Sequence, residues 1–371
     1  MSAFQATGFV DAAAGADRAL VAIQGPPRPY RLPIRAYPGQ DFGPILRRVP
    51  RSGLGADGGP LVPAVRLDLY TVEDGWFAIG NGLDGVVLTA DRTIVSEMAM
   101  FSEPYRDRTG DVVLGTPDAD AVFDDVFIGF DAAWMNWYHW LCFALGRSSL
   151  AANLLPASCN IILPDYISRA SGTHIRFGIE AWRQSIAALG LDGRTRLLPA
   201  GLYRARKIRF FWTVPGEPTN ITYLSLFQDA FTRAQRGLSI RPGVPRRILV
   251  SRESGLDPRA DQRETDVLNA VAAAHGFTKI CFERMDFRAQ CDTVFNADYV
   301  FGLHGAGLAN ILFGKPDLRL LELNRPLDGG PLLRPWFYLL AHARGQRYSY
   351  LNGGAGDFSA ERIAQAIRSL L

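Results

Sequence analysis

Residues Tyr299 to Glu322 read YVFGLHGAGLANILFGKPDLRLLE. An apolar run ends in His304-Gly305-Ala306-Gly307, a short apolar segment follows, and a second apolar run ends in a carboxylate at Glu322. That order is strand, glycine turn, helix, strand, acid. Such a unit can place an anion at a helix N-terminus and a hydroxylated sugar at the next strand end. Gly305 and Gly307 can adopt positive φ and let backbone N–H groups come close to a ligand. His304 can donate to a phosphate oxygen, and Glu322 can accept from two ribose hydroxyls. The plain alternatives are an empty strand-to-helix turn and, for Glu322, an ion pair with Arg325.

Working outward, the second half alternates strand and helix. RRILVSR (246–252) predicts a strand, Thr265 to Ala274 a helix, KICFE (279–283) a strand and Phe287 to Ala297 a helix. YVFGLH (299–304), a helix from Gly307 to Phe313, RLLEL (319–323) and a helix near Leu332 to Ala343 follow. Strands that each precede a helix imply a parallel sheet with right-handed crossovers, in which ligands collect at the carboxyl edge. Arg252 closes the first of these strands, where an arginine can neutralise a β-phosphate. The common alternative is a surface arginine. The final helix, Ala360 to Leu371, carries no sign of where it packs.

Upstream, VFIGF (126–130) and CNIIL (159–163) predict strands, as do RTRLLP (194–199) and RKIRFFW (206–212). Trp134 to Leu150 and Ile175 to Leu189 have helical apolar spacing, the latter with Trp182 and Ile186 on one face. This is a second βαβ-type region. A helix from Leu224 to Gly237, bracketed by PGEPTN and RPGVP, reads as the connection between domains. Val65 to Met100 gives short alternating runs separated by Asp74-Gly75 and Asp84-Gly85, the signature of a small antiparallel meander with two hairpin turns. Residues 1 to about 60 are turn-dense and predict irregular structure with a few short strands. The expected divisions are 1–110, 111–240, 241–357 and a C-terminal helix over 358–371.

The length of 371 residues favours two domains over one core. A formal charge of +3, with no block of like charge, gives no nucleic-acid face. Three of the 40 basic residues are lysines (Lys207, Lys279 and Lys315). Arginine bias of this kind fits either codon usage or bidentate grip on phosphate and carboxylate. Cys142, Cys159, Cys281 and Cys291 lack CxxC spacing and sit in apolar segments, so they read as reduced core thiols. With no charged-then-apolar leader, and with the longest apolar run (Ala132 to Leu145) broken by Asn136 and His139, the expectation is a cytoplasmic protein. Peripheral contact at the inner face of the membrane stays open, and the oligomeric state is not legible.

Four further motifs bear on function. Gly305, Gly307 and Asn310 give G-x-G-x-x-N, one residue short of the dinucleotide fingerprint, but after the third strand of its half rather than the first. HGAG also looks like a lipase oxyanion loop, yet the chain has no G-x-S-x-G elbow, which removes the hydrolase reading. His139 lies among Trp134, Trp137, Tyr138 and Trp140. It is either a proton-removing base beside sugar-stacking rings or a core histidine bonded to a carbonyl. Asp118-Ala119-Asp120 is a D-x-D in a loop-like setting, too poor in oxygen ligands for a hard cation on its own. No metal is expected.

Taken together, the pattern resembles glycosyltransferase family 61, of the type that builds capsular polysaccharides. The resemblance rests on RRILVSR to Arg252, the acidic helix start RETDVL, FRAQCDTVFNAD with Gln290, VFGLHGAGLANILF, and LLEL with Glu322; NWYHWL (Asn136 to Leu141) is like the family's N-x-x-H-W-L segment. It implies a GT-B arrangement, two Rossmann-like domains facing a cleft, with metal-independent inversion at the anomeric carbon. It implies a hexosyl- or pentosyltransferase moving sugar from a nucleotide sugar to a glycan or lipid-linked acceptor, with no cofactor. Donor contacts would fall on Arg252, His304, Gly305, Ala306, Gly307, Asn310 and Glu322, and acceptor contacts on Asn136, Trp137 and Tyr138. His139 is the first choice for catalytic base and Asp131 the second. One departure is Phe143, where the family segment carries a glutamate able to orient the histidine, and Arg263-Glu264 stands where an Asn-Glu pair is common. A nucleotide- or glycan-binding protein without catalysis is the alternative from another class, and an NAD(P)-dependent oxidoreductase the third.

Overall fold

The computed structural model describes residues 8–10, 17–19, 53–54, 60–61, 67–80, 82–99, 117–166, 177–213, 228–251, 262–325, 334, 336–353 and 357–371. These fall into two compact units, one built on Val65–Pro218 together with Met1–Gln24, the other on Thr219–Leu371 together with Gly25–Ala64. It is a mixed α/β protein with a parallel sheet in the second unit.

In chain order the strands are β1 (Gly8–Val10), β2 (Asp17–Ala19), β3 (Gly53–Leu54), β4 (Pro60–Leu61), β5 (Leu67–Ile79), β6 (Val87–Leu88), β7 (Thr93–Val95) and β8 (Pro117–Ile128). Then come β9 (Asn160–Pro164), β10 (Thr195–Leu198), β11 (Gly201–Thr213), β12 (Arg247–Val250), β13 (Thr278–Ile280), β14 (Tyr299–Leu303), β15 (Arg319–Asn324) and β16 (Arg347–Asn352). In the first unit the described strands form one sheet ordered β1-β7-β6-β5-β11-β8-β9-β10, with β2 also on β5. The meander is therefore not separate from the βαβ region. Antiparallel pairing of β5 with β11, from Gly201↔Ile79 to Thr213↔Leu67, fuses it to parallel strands β11, β8, β9 and β10.

That pairing also corrects one expected turn. Asp84-Gly85 does sit in the β5–β6 hairpin, where the buried Asp84 carboxylate accepts from the Gly80 amide at 2.9 Å. Asp74-Gly75, by contrast, lies inside β5, and the register with β11 is the same on either side of Asp74, with Gly75↔Ala205 and Glu73↔Lys207. Asp74 absorbs the local twist at φ 51°. A thirteen-residue strand partner outweighs a two-residue turn preference.

The second unit's five-stranded sheet is parallel, ordered β13-β12-β14-β15-β16, and β3 pairs antiparallel with β4 apart from it. Counting from β12 this is 2-1-3-4-5, a doubly wound order whose direction reverses between β12 and β14. One face is covered by the helices Gln262–Ala274 and Ala360–Leu370, which share a core with Leu249, Phe301, Leu321 and Leu351. The C-terminal helix thus belongs to this sheet, which gains the edge strand β16. The helix Gln228–Ala234, expected as a connection, packs in this unit as well: Phe231 meets Phe313 edge-on at 5.9 Å and Gln235 Nε2 donates to the Phe313 carbonyl at 2.9 Å. No helix among the described residues is long and apolar enough to cross a membrane.

Candidate functional site

At the reversal point of the parallel sheet, β12 ends at Val250 and β14 at Leu303. Ser251 donates its amide to Ile280 O at 2.9 Å, and His304 donates its own to Leu323 O at 2.9 Å, so both strand ends are pinned from the side. Arg252, the next residue after Ser251, lies outside the described residues. Leu303 to Gly307 are half-buried between a buried strand and a buried helix, which leaves the turn open on one side.

The turn differs from expectation in two respects. Gly305 has φ 174°, extended backbone that any residue adopts, so positive φ is not what its glycine supplies. The requirement is close approach: a Cβ at Gly307 would stand 3.0 Å from Val250 Cγ1, and one at Gly302 would stand 3.0 Å from Val250 O. The segment Ala306–Phe313 is a 3-10 helix rather than an α-helix. Its first amides still have no acceptor within the helix and can face an anion. Buried Asn310 donates to Gly307 O at 3.1 Å, bracing the turn from inside the helix.

Glu322 does not present a carboxylate edge to a ribose. It is fully buried, and its two oxygens are engaged by His304 Nδ1 and, at 2.6 Å, by the Tyr348 hydroxyl. Burial first, and then the Glu322 carboxylate, push the Tyr348 phenol well above its usual range, so it stays protonated and donates. The His304 ring also packs against Phe337 at 5.1 Å. Nor does Arg325 pair with Glu322; its guanidinium meets Glu264, which comes from the acidic helix start singled out in the sequence. Gln290 is structural here: its Nε2 holds the carbonyls of Phe282 and Met285 at 3.2 and 3.0 Å.

In the first unit the structure brings His139 and Asp131 together, with Nδ1 and Oδ1 3.4 Å apart. That is an ion-pair distance, longer than a formed hydrogen bond, as catalytic pairs without substrate often are. Burial alone would raise the Asp131 carboxyl, but the neighbouring His139 ring, Arg147 and the Ala133 amide hold it below the usual carboxylate range. The Ala133 amide reaches Oδ1 at 2.9 Å. Phe143, in place of the expected glutamate, packs at a tilt against His139 at 5.1 Å and carries Arg147 on its ring at 5.0 Å. The orienting carboxylate comes from the preceding loop instead.

The setting of this pair is closely packed. Asn136 caps the helix Trp137–His139 by accepting from the Tyr138 amide at 2.9 Å, and a π-helical segment Trp140–Leu145 follows directly. Such π segments occur disproportionately at functional sites. Trp137 and Tyr138 are buried, Trp137 against Phe177 at 4.8 Å, so they pack the core rather than offer open faces to a sugar. Trp140 donates from Nε1 to Ser185 Oγ at 2.9 Å. Asp118-Ala119-Asp120 belongs to strand β8 rather than a loop, and among the described residues no three His, Cys, Asp or Glu side chains converge as a metal set. A buttress that the sequence reading missed is Gly85, at φ 79°: a Cβ there would meet Phe130 O at 2.2 Å and Asp131 Cα at 3.1 Å.

A parallel sheet of this order, with an open glycine turn at its reversal point, defines an α/β class that receives ligands at that edge. Residues 137–321 match the family model Glycosyltransferase 61, and the chain belongs to that family: it is a glycosyltransferase, acting on a sugar donor and an acceptor. The matched span runs from the His139 helix through the HGAG turn to β15. The oxidoreductase reading of the near-fingerprint falls away with it. A comparison with curated proteins gives no match.

Proposed function

We propose that this glycosyltransferase is an inverting, metal-independent enzyme of GT-B type, with the second unit binding a nucleotide sugar and the first carrying the catalytic base. The observation that carries this reading is the position of His304–Gly307 at the reversal point of a 2-1-3-4-5 parallel sheet, beside the strand that leads to Arg252. A diphosphate there meets helix-start amides, an imidazole and a guanidinium, which supply charge stabilisation for a departing nucleoside diphosphate.

In the proposed reaction an acceptor hydroxyl attacks the anomeric carbon in line with the leaving diphosphate. His139 removes the hydroxyl proton through Nε2, and Asp131 holds the Nδ1 side and stabilises the imidazolium that forms. The presence of a depressed, ionised Asp131 beside His139 supports catalysis over a purely binding role. The acceptor is a glycan or lipid-linked oligosaccharide of a surface or capsular polysaccharide, elongated in the cytoplasm or at the inner face of the membrane. Since Trp137 and Tyr138 are buried, Asn136 is the residue of that segment left to meet an acceptor.

The test is donor turnover, as release of nucleoside diphosphate in EDTA across a panel of nucleotide sugars. Wild-type protein releases diphosphate with at least one donor, while His304→Ala and Arg252→Ala each lose most of that rate. Wild-type turnover in both variants would show that the donor site lies elsewhere.

A further inference from the structure

The proposed donor site contains a buried polar chain that neither the family match nor the sequence assigns. Tyr348, on β16, donates to Glu322 Oε2 at 2.6 Å, and Glu322 Oε1 in turn meets His304 Nδ1. Glu322 and Tyr348 are both out of solvent, whereas His304 keeps 15% of its side chain exposed at the turn. Tyr348 is itself fixed by rings, edge-on to Tyr338 at 5.5 Å and stacked on Tyr350 at 6.3 Å.

A buried carboxylate is costly unless both oxygens are engaged, and here they are. The phenol can only donate to it, which leaves the second oxygen to accept from the imidazole. The ring is thereby held with its proton on Nδ1, and a ligand at the turn has to be met by Nε2. Resting on the reading of this edge as the nucleotide-sugar site, we propose that Glu322 and Tyr348 are positioning residues, which fix His304 so that Nε2 faces the donor's diphosphate. Glu322 on this account reaches the donor through His304, and no ribose contact is needed to explain its place at the strand end.

Tyr348→Phe separates positioning from packing, because it keeps the ring and removes only the hydroxyl. Two quantities are measured on the full chain: the dissociation constant for free nucleoside diphosphates (UDP, GDP, ADP and CDP) by calorimetry, and the histidine-side-chain 15N–1H spectrum. We expect Tyr348→Phe to keep its melting temperature within a few degrees, to lose or shift the carboxylate-bonded Nδ1–H resonance assigned by its absence in His304→Ala, and to bind the preferred diphosphate about tenfold more weakly, as expected for one hydrogen bond to a charged group. Glu322→Gln should remove the same resonance and weaken binding further. If Tyr348→Phe and Glu322→Gln fold and bind as wild type with the resonance unchanged, the positioning role is wrong while the donor site stands. If wild-type protein binds none of the four diphosphates, the donor-site reading itself fails.

Discussion

Each unit carries a histidine whose Nδ1 faces a carboxylate, and the two pairs are built to different specifications. Glu322 comes from near the carboxyl end of a parallel strand, is fully buried, and has both oxygens engaged by His304 and Tyr348. Asp131 comes from the loop after β8, keeps 10% of its side chain exposed, and has an Oδ2 without a hydrogen-bond partner among the described residues. A saturated carboxylate locks its histidine in one orientation. One with spare capacity can strengthen its grip as positive charge builds on the imidazole. The first arrangement suits a static phosphate contact and the second suits proton removal.

The comparison breaks first at the base. His139→Ala should lower transfer by roughly 10²–10⁴-fold, the usual contribution of a positioned base, with donor affinity retained. Asp131→Asn should follow at a comparable or smaller loss, because the amide can favour the wrong tautomer of His139. Steady-state rates with a fixed donor check both, and a variant that instead raises only donor KM would move the residue to the donor side.

Next comes the buttress. Gly85→Ala meets both an unfavourable positive φ and a backbone oxygen in its way, so it should cost about 2–4 kcal/mol of stability. If the loop yields instead, Asp131 is displaced, and kcat should fall more than donor affinity. Thermal melts and kinetics of the same variant distinguish the two routes. The smallest expected effect lies at the opposite edge of the second sheet. There Asp298 binds Arg246 through two nitrogens, each at 2.7 Å, and Lys315 at 2.7 Å. Partial burial tends to raise its carboxyl, but Lys315 and Arg246 hold it below the usual carboxylate range. A depressed folded pKa gives stability that is complete above the unfolded value and lost as pH falls through the folded one. Asp298→Asn should therefore cost about 0.5–1 kcal/mol at neutral pH after allowance for solvent screening. The gap from wild type should close on acidification below about pH 4, the unfolded carboxylate range. Diphosphate affinity should not change.

Much of the second unit was legible because parallel strands are continuous apolar runs that end where ligands bind. RRILV, YVF and RLLEL announce their edge, and Glu322 and His304 stand at it. The role of Glu322 was hidden because its second partner, Tyr348, lies 26 residues on in a strand whose sequence RYSYLN carries no strong pattern. The 3-10 form of Ala306–Phe313 was equally hidden, since a segment apolar at nearly every position shows no period by which 3.0 could be told from 3.6. In the first unit, Asp131 sits eight residues before His139 across a turn, a spacing without period, and only tertiary folding brings the two within 3.4 Å. The aromatic helix misled in the usual direction, toward ligand stacking where the rings were needed for packing.

The division of labour between the two histidines is the central claim, and calorimetry of nucleoside diphosphate binding to wild type, His139→Ala and His304→Ala in EDTA tests it most directly. The account predicts that His304→Ala binds at least about tenfold more weakly, while His139→Ala binds within about twofold of wild type yet transfers sugar at least about 100-fold more slowly. Weakened binding in His139→Ala together with intact binding in His304→Ala would contradict it.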